Sequence, residues 1–140
     1  MSVMFVHEVI EAASKKKTKE EKIQVLKQNE SWALKDILRG TYDAAVQWNI
    51  PQGEPPFTRN QQHNAPSNLL RENTKFKYFV KGGPGDQMPK FKREKIFIGL
   101  LESIHPKDAE LVVGMINKSF PVKGITKNLV KEAFPNLIKE

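Results

Sequence analysis

Apolar residues recur at helical spacing along most of this chain. Val6, Val9, Ile10 and Ala13 share one face of a segment covering residues 3–14, as an amphipathic helix requires. Lys15-Lys16-Lys17 breaks that rhythm. Thr18, followed three residues later by Glu21, has the pattern of a capping box, in which hydroxyl and carboxylate satisfy free N–H groups at a helix start. A second helix is therefore expected to run to Gln28 with Ile23 and Leu26 inward, stopping at Asn29. Ser31 caps a third, expected to reach Trp48 and to carry Leu34, Ile37, Leu38, Tyr42, Ala45 and Val46. Gly40 within it costs about 1 kcal/mol against alanine, which suggests close packing at that point.

Residues 51–74 abandon the pattern. Pro51, Pro55, Pro56 and Pro66 lie among Gln52, Asn60, Gln61, Gln62, Asn64, Asn68 and Asn73, and only Leu69 and Leu70 look ready to pack. A long surface loop or insertion is expected, of a kind uncommon in compact domains unless it is functional or mobile. Lys75-Phe76-Lys77-Tyr78-Phe79-Val80 alternates as a strand does, with a short helical segment as the alternative. Gly82-Gly83-Pro84-Gly85 ends it. Pro89 suits a first helical position, and Phe91, Ile96, Phe97, Leu100, Leu101 and Ile104 mark a helix to about His105. Pro106 opens another, with Leu111, Val112, Met115 and Ile116 as its buried stripe, and residues 126–134 form the last. The expected fold is all-α: one domain over residues 1–140, about six helices and a long irregular central loop.

Composition narrows the chemistry. A chain of 140 residues matches one domain with one core. The absence of cysteine excludes disulfides, thiolate nucleophiles and cysteine-ligated zinc. No apolar run approaches the roughly 20 residues of a membrane helix, and the start lacks the pattern of a secretory signal. A cytoplasmic, non-secreted protein without a membrane partner is the expectation. The formal net charge of +7 points towards nucleic acid or another anionic partner. It is unevenly spread: residues 51–95 carry nine basic and four acidic side chains, the rest being nearly balanced.

Catalytic constellations do not emerge. His7, His63 and His105 have no ligand-type spacing. His105 before Pro106 reads as a helix-entry residue, His63 as a loop residue and His7 as the edge of the first helix. Lys81-Gly82-Gly83-Pro84-Gly85 lacks the Gly-Lys-Ser/Thr ending of a phosphate loop and reads as a flexible turn. The chain is thus expected to be no enzyme, with no catalytic residue, metal site or cofactor.

Two basic groups remain. Lys75, Lys77, Lys81, Lys90, Lys92, Arg93 and Lys95 are interleaved with Phe76, Tyr78, Phe79 and Phe91, a mixture able to neutralise phosphates and stack bases. Phe91 and Phe97 are assigned to a core stripe, while Phe76 and Tyr78 stand between core and stacking roles. In the second group Lys123, Lys127 and Lys131 are four residues apart with Lys118 nearby, around a turn at Gly124 and a helix capped by Thr126. Backbone N–H groups and lysines at such a turn suit a phosphate. A solvated lysine face is the plain alternative.

Three blocks carry a resemblance over almost the whole chain. They are Thr18-Lys19-Glu20-Glu21-Lys22-Ile23-Gln24-Val25-Leu26-Lys27-Gln28-Asn29; Leu34-Lys35-Asp36-Ile37-Leu38-Arg39-Gly40-Thr41-Tyr42-Asp43; and Met115-Ile116-Asn117-Lys118 leading into the Gly124 turn and a Phe134-Pro135-Asn136-Leu137-Ile138 exit. Together they resemble the N-terminal DNA-binding domain of the ATP-dependent DNA ligases of T-even-like bacteriophages. The third block is the most specific. Asn136 stands where those ligases usually have glycine, and residues 51–74 have no counterpart in them. Lys-x-Asp-Gly, which supplies the lysine that takes AMP, is absent. The resemblance implies a helical domain that holds duplex DNA without sealing it, through Lys118, Lys123, Gly124, Thr126, Lys127, Asn128 and Lys131, with Lys81, Lys90, Lys92 and Arg93 extending the footprint. A freestanding, phage-encoded accessory factor in replication, repair or recombination is the expected role, in the host cytoplasm. A replication or virion protein is a further expected partner. The alternative is a protein-interaction or structural viral subunit that keeps this fold without binding DNA.

Overall fold

The hydroxyl caps legible in the sequence start the helices. Thr18 Oγ1 accepts from the Glu21 N–H at 3.2 Å, Ser31 Oγ from Leu34 at 3.1 Å and Thr126 Oγ1 from Leu129 at 3.2 Å. His105 performs the same office through Nδ1, which accepts from Lys107 N–H at 3.0 Å. The capping box at Thr18 differs from expectation, because the Glu21 carboxylate accepts from the Thr18 hydroxyl. A computed structural model describes residues 4–51, 53, 55–60 and 65–138. Among them are α1 (Val6–Ser14), α2 (Lys19–Gln28), α3 (Trp32–Tyr42), α4 (Leu69–Glu72), α5 (Lys90–Ser103), α6 (Pro106–Ile116) and α7 (Lys127–Ala133), with 3₁₀ segments at Asn73–Tyr78 and Pro84–Gln87. The fold is all-α. Val3, Gln52, Gln61, Gln62, His63 and Asn64 lie outside the described residues.

Packing follows the apolar stripes. Helix α1 lies on α2, α2 on α7, and α3 on α6, enclosing Ile10, Leu26, Leu34, Ile37, Leu38, Leu100, Val112, Met115 and Val130. Burial of such side chains is the main stabilising term, at roughly 1.5–3 kcal/mol for each large aliphatic residue.

Several expectations are corrected. Helix α1 starts at Val6, since Phe5 is extended and its N–H is taken by the Glu8 carboxylate at 2.8 Å. Helix α3 stops at Tyr42 instead of Trp48. Asp43 leaves the helical region and its carboxylate accepts the Ala45 N–H at 2.9 Å, an Asx turn that competes with helix continuation. Trp48 then meets Val80 in a single antiparallel β-bridge. Its indole N–H donates to the Gly40 carbonyl at 2.9 Å. Close packing at Gly40 is real: a β-carbon there would fall 2.5 Å from the Trp48 ring and 2.6 Å from the Met115 sulfur.

The alternating run at 75–80 is 3₁₀ helix up to Tyr78. Phe76 and Phe79 are both buried, and side chains three apart would face opposite sides of a strand. The central loop is shorter than expected, because Leu69–Glu72 is helical and buries Leu69. It is also pinned. Gly53 and Asn117 exchange two hydrogen bonds, Asn60 Nδ2 donates to the Glu102 and Ile104 carbonyls, and Ser67 N–H donates to Ser103 O at 2.8 Å. Phe91 is 74% exposed instead of core. The inward stripe of α5 is Arg93, Phe97, Leu100 and Leu101, and a residue two positions before Arg93 points away from it. No described helix is long and apolar enough to cross a membrane.

Candidate nucleic-acid interface

Two turns far apart in sequence meet at one basic surface. The first is the run Lys15-Lys16-Lys17 between α1 and α2, exposed throughout. The second holds Lys123, Gly124, Ile125 and Thr126 ahead of α7. Gly124 has φ +92°, a backbone region that glycine enters without the steric cost other residues meet. Lys22 of α2 reaches across and donates its Nζ to the Gly124 carbonyl at 3.0 Å. The Tyr42 hydroxyl donates to the neighbouring Ile125 carbonyl at 2.5 Å. Lys17, Lys19, Lys22, Gly124, Thr126 and Asn128 thereby line a depression of about 320 Å³. Lys19 is ion-paired to Glu132.

A second groove of about 500 Å³ lies on the other side of the start of α7. Lys81, Lys118 and Lys127 line it with Thr41, Tyr42 and Gln47, and none of its lining residues is acidic. The structure thus brings six of the expected site residues to these two depressions, Gly124, Thr126 and Asn128 to the first and Lys81, Lys118 and Lys127 to the second. Thr126 and Asn128 face one depression and Lys127 the other, so the two are neighbours. Lys131 follows on α7, half-buried.

Two of the expected cations, Lys118 and Arg93, also bond to backbone, and Arg93 is corrected as an exposed contact. Lys118 Nζ donates to the carbonyls of Gly40 at 2.6 Å and Asp43 at 2.9 Å, joining the Trp48 indole N–H on Gly40 O at the C-terminal end of α3. Burial of the ammonium pushes its pKa below the ordinary lysine value, with the Asp43 carboxylate acting the other way. Arg93 is buried; it donates from Nε to Asn49 O at 2.9 Å and from one terminal nitrogen to Gly85 O and Met88 O, each at 3.2 Å. Arg93 thus holds backbone carbonyls from a buried position, whereas Lys118 holds its carbonyls while exposed at the groove. Lys90 and Lys92 stand exposed on the first turn of α5 and line neither depression.

The cluster Lys15, Lys16, Lys17 and Lys22 was absent from the expected site. Its only sequence signal is the charge run before Thr18, and nothing local shows that Gly124 packs beside it. The helical faces also unite two histidines. His7 and His105 stack with ring centroids 4.2 Å apart. The Asp108 carboxylate accepts the His7 backbone N–H and faces its Nδ1, both at 2.9 Å. Burial, then the neighbouring His7, lowers the pKa of His105; Lys107 adds to this, while Asp108 and Glu8 oppose it. The arrangement is a buried polar joint between α1 and α6. No group of three potential metal ligands occurs among the described residues.

The aromatics also divide differently from expectation. Phe76 is buried edge-on to Trp48, and Tyr78 is half-buried with Lys77 Nζ 5.3 Å from its ring centroid. The fully displayed rings are Phe91 and Trp32.

No functionally described protein matches the chain in sequence. Residues 9–121 match a family of unknown function, DUF6433, and the chain belongs to that family.

Proposed function

We propose that this member of the DUF6433 family is a non-catalytic accessory protein that holds duplex DNA by its phosphate backbone in replication, repair or recombination. The observation that supports this reading is the meeting of the Lys15-Lys16-Lys17 turn, Lys22 and the 123–128 turn at one surface, beside the groove of Lys81 and Lys127. Ammonium groups from separate segments can follow successive phosphates, releasing condensed counterions as they do so. The surface is rich in lysines and backbone groups, which position a protein on the duplex without reading sequence. The resemblance to the DNA-binding domain of phage ligases points the same way. It extends the proposal to a phage protein acting in the host cytoplasm. The missing Lys-x-Asp-Gly confines the role to holding DNA.

Binding to intact duplex, measured from about 50 to about 200 mM salt, tests the proposal. Log affinity is expected to fall linearly with log salt. Replacing Lys16, Lys17 and Lys123 with alanine is expected to lower the slope by about one for each phosphate contact removed. An undetectable complex at the lowest salt sinks the proposal. An unchanged slope in the triple variant removes this surface from it.

A further inference from the structure

Phe91 is displayed on a helix whose inner side is well packed. It is 74% exposed, whereas Arg93, Phe97, Leu100 and Leu101 of α5 are buried. At about 100° of turn per residue, Phe91 stands roughly opposite that stripe, so its ring faces water. A single exposed phenylalanine needs no explanation by itself. Its neighbours give it one.

Uncompensated cations surround the ring. Lys90 and Lys92 lie about 100° to either side of it, and Lys95 follows one turn later on nearly the same face. All three are exposed. Among the described residues no ion pair includes any of them. Half-buried Glu94 is the one acidic residue from Pro89 to Gly99, so three lysines stand against one carboxylate. Trp32, the other displayed ring, has no such setting, since its neighbour Lys35 is paired with Glu30.

This mixture selects among anionic partners. Lysine is depleted at protein–protein contacts. A helix lying on a membrane needs an apolar stripe along its length, whereas the outward face of α5 continues with Lys95, Gly99 and Glu102, all exposed. Nucleic acid uses both parts together: phosphates meet ammonium groups, and a base lays its face on an aromatic ring. Inside a duplex the base faces are covered by their neighbours in the stack, so the ring suits an unpaired base.

We infer that Phe91, with Lys90, Lys92 and Lys95, forms a platform for single-stranded DNA, the ring stacking on one unpaired base while the lysines meet the phosphates beside it. This extends the DNA reading from duplex to unpaired strand and rests on that reading for the class of ligand. It uses none of the lysines at the 15–22 and 123–128 turns.

Anisotropy titrations of the intact protein with a labelled blunt duplex, and with the same duplex carrying an oligothymidylate tail, test the inference. The tail is expected to strengthen binding. Phe91→Ala should remove that gain, a loss of about tenfold on tailed DNA, and leave binding to blunt duplex unchanged. Phe91→Leu keeps an apolar side chain without a flat ring and should behave as Phe91→Ala does, while Phe91→Trp should keep the gain. Replacing Lys90, Lys92 and Lys95 together with alanine should flatten the salt dependence of binding to tailed DNA. Circular dichroism checks that the variants fold, as exposed positions allow. Equal binding of tailed and blunt DNA, or an equal loss on both in Phe91→Ala, overturns the inference and leaves the duplex reading standing. Binding to tailed DNA alone, lost in Phe91→Ala, supports the inference and sinks the duplex reading. No complex with either DNA sinks both. Tighter binding to phosphatidylserine vesicles than to tailed DNA, lost in Phe91→Ala, overturns the inference in favour of a membrane surface.

Discussion

Lys22 donates its Nζ to the carbonyl oxygen of Gly124 at 3.0 Å, across 102 residues of sequence. This bond ties the turn between α1 and α2 to the turn ahead of α7. It holds one lysine of the basic surface against backbone, where it organises its neighbours. It also explains why Gly124 is crowded: a β-carbon there would sit 3.1 Å from Lys22 Nζ.

Gly124→Ala is expected to cost about 1–3 kcal/mol, because alanine meets a left-handed backbone as well as the Lys22 ammonium. Lys22→Ala removes the bond without the strain and should cost about 1 kcal/mol. Urea unfolding of both variants checks the order, and a smaller loss at Gly124 than at Lys22 would contradict it.

Two other glycines separate space from conformation. In Gly85→Ala the new β-carbon would lie 1.8 Å from the Tyr78 carbonyl oxygen. Backbone must move, and a loss of about 3 kcal/mol is expected, at the upper end of ordinary overpacking. Gly99 lies exposed inside α5 with nothing within 4 Å of its would-be β-carbon. Gly99→Ala should stabilise by about 0.5–1 kcal/mol. Thermal melts of the two variants should move in opposite directions.

Neighbouring cations on α5 are expected to behave unlike one another. Arg93→Ala removes three bonds to carbonyls, of which Gly85 O keeps the Met88 N–H, and should cost about 2–3 kcal/mol, the range for bonds to a charged group. Lys92→Ala, at an exposed position, should stay within about 0.5 kcal/mol. Denaturant midpoints at equal slope distinguish these outcomes.

Acid should loosen the joint between α1 and α6. The folded state holds the pKa of His105 below its ordinary 6.5, so in the window between the two values the unfolded chain binds more protons. The contribution of His105 to stability is complete above the unfolded value. It is lost as pH falls through that window to the lower folded value. His7, Asp108, Lys107 and Glu8 act on this ring and are common to both proteins compared. His105→Asn keeps a capping acceptor but removes the titrating ring. Its stability should therefore decline less than that of the natural protein from about pH 7.5 to about pH 5. Parallel declines would refute the assignment.

Much of the helical layout was legible because its causes are local. The hydroxyls of Thr18, Ser31 and Thr126 reach N–H groups three residues on, and stripes such as Leu34, Ile37 and Leu38 need only helical periodicity. Legibility fails where a distant group competes. Helix α3 ends early because Asp43 caps a turn that delivers Trp48 to Val80. Phe91 and Arg93 exchange their expected environments because Asn49, Gly85 and Met88 offer carbonyls at the inward slot.

The same division governs the basic surface. Sequence by itself determined an all-α chain with an excess of cations, a glycine turn and a threonine cap ahead of the last helix. Tertiary structure decided which cations face water. It turned Lys118 and Arg93 onto backbone carbonyls, joined Lys15, Lys16, Lys17 and Lys22 to the Gly124 turn, and left Trp32 outside. The reason is physical: a lysine or arginine has the same charge and the same local pattern whether its hydrogen bonds go to solvent or to a carbonyl. Only the folded arrangement of the surrounding segments brings that carbonyl within about 3 Å of its ammonium or guanidinium.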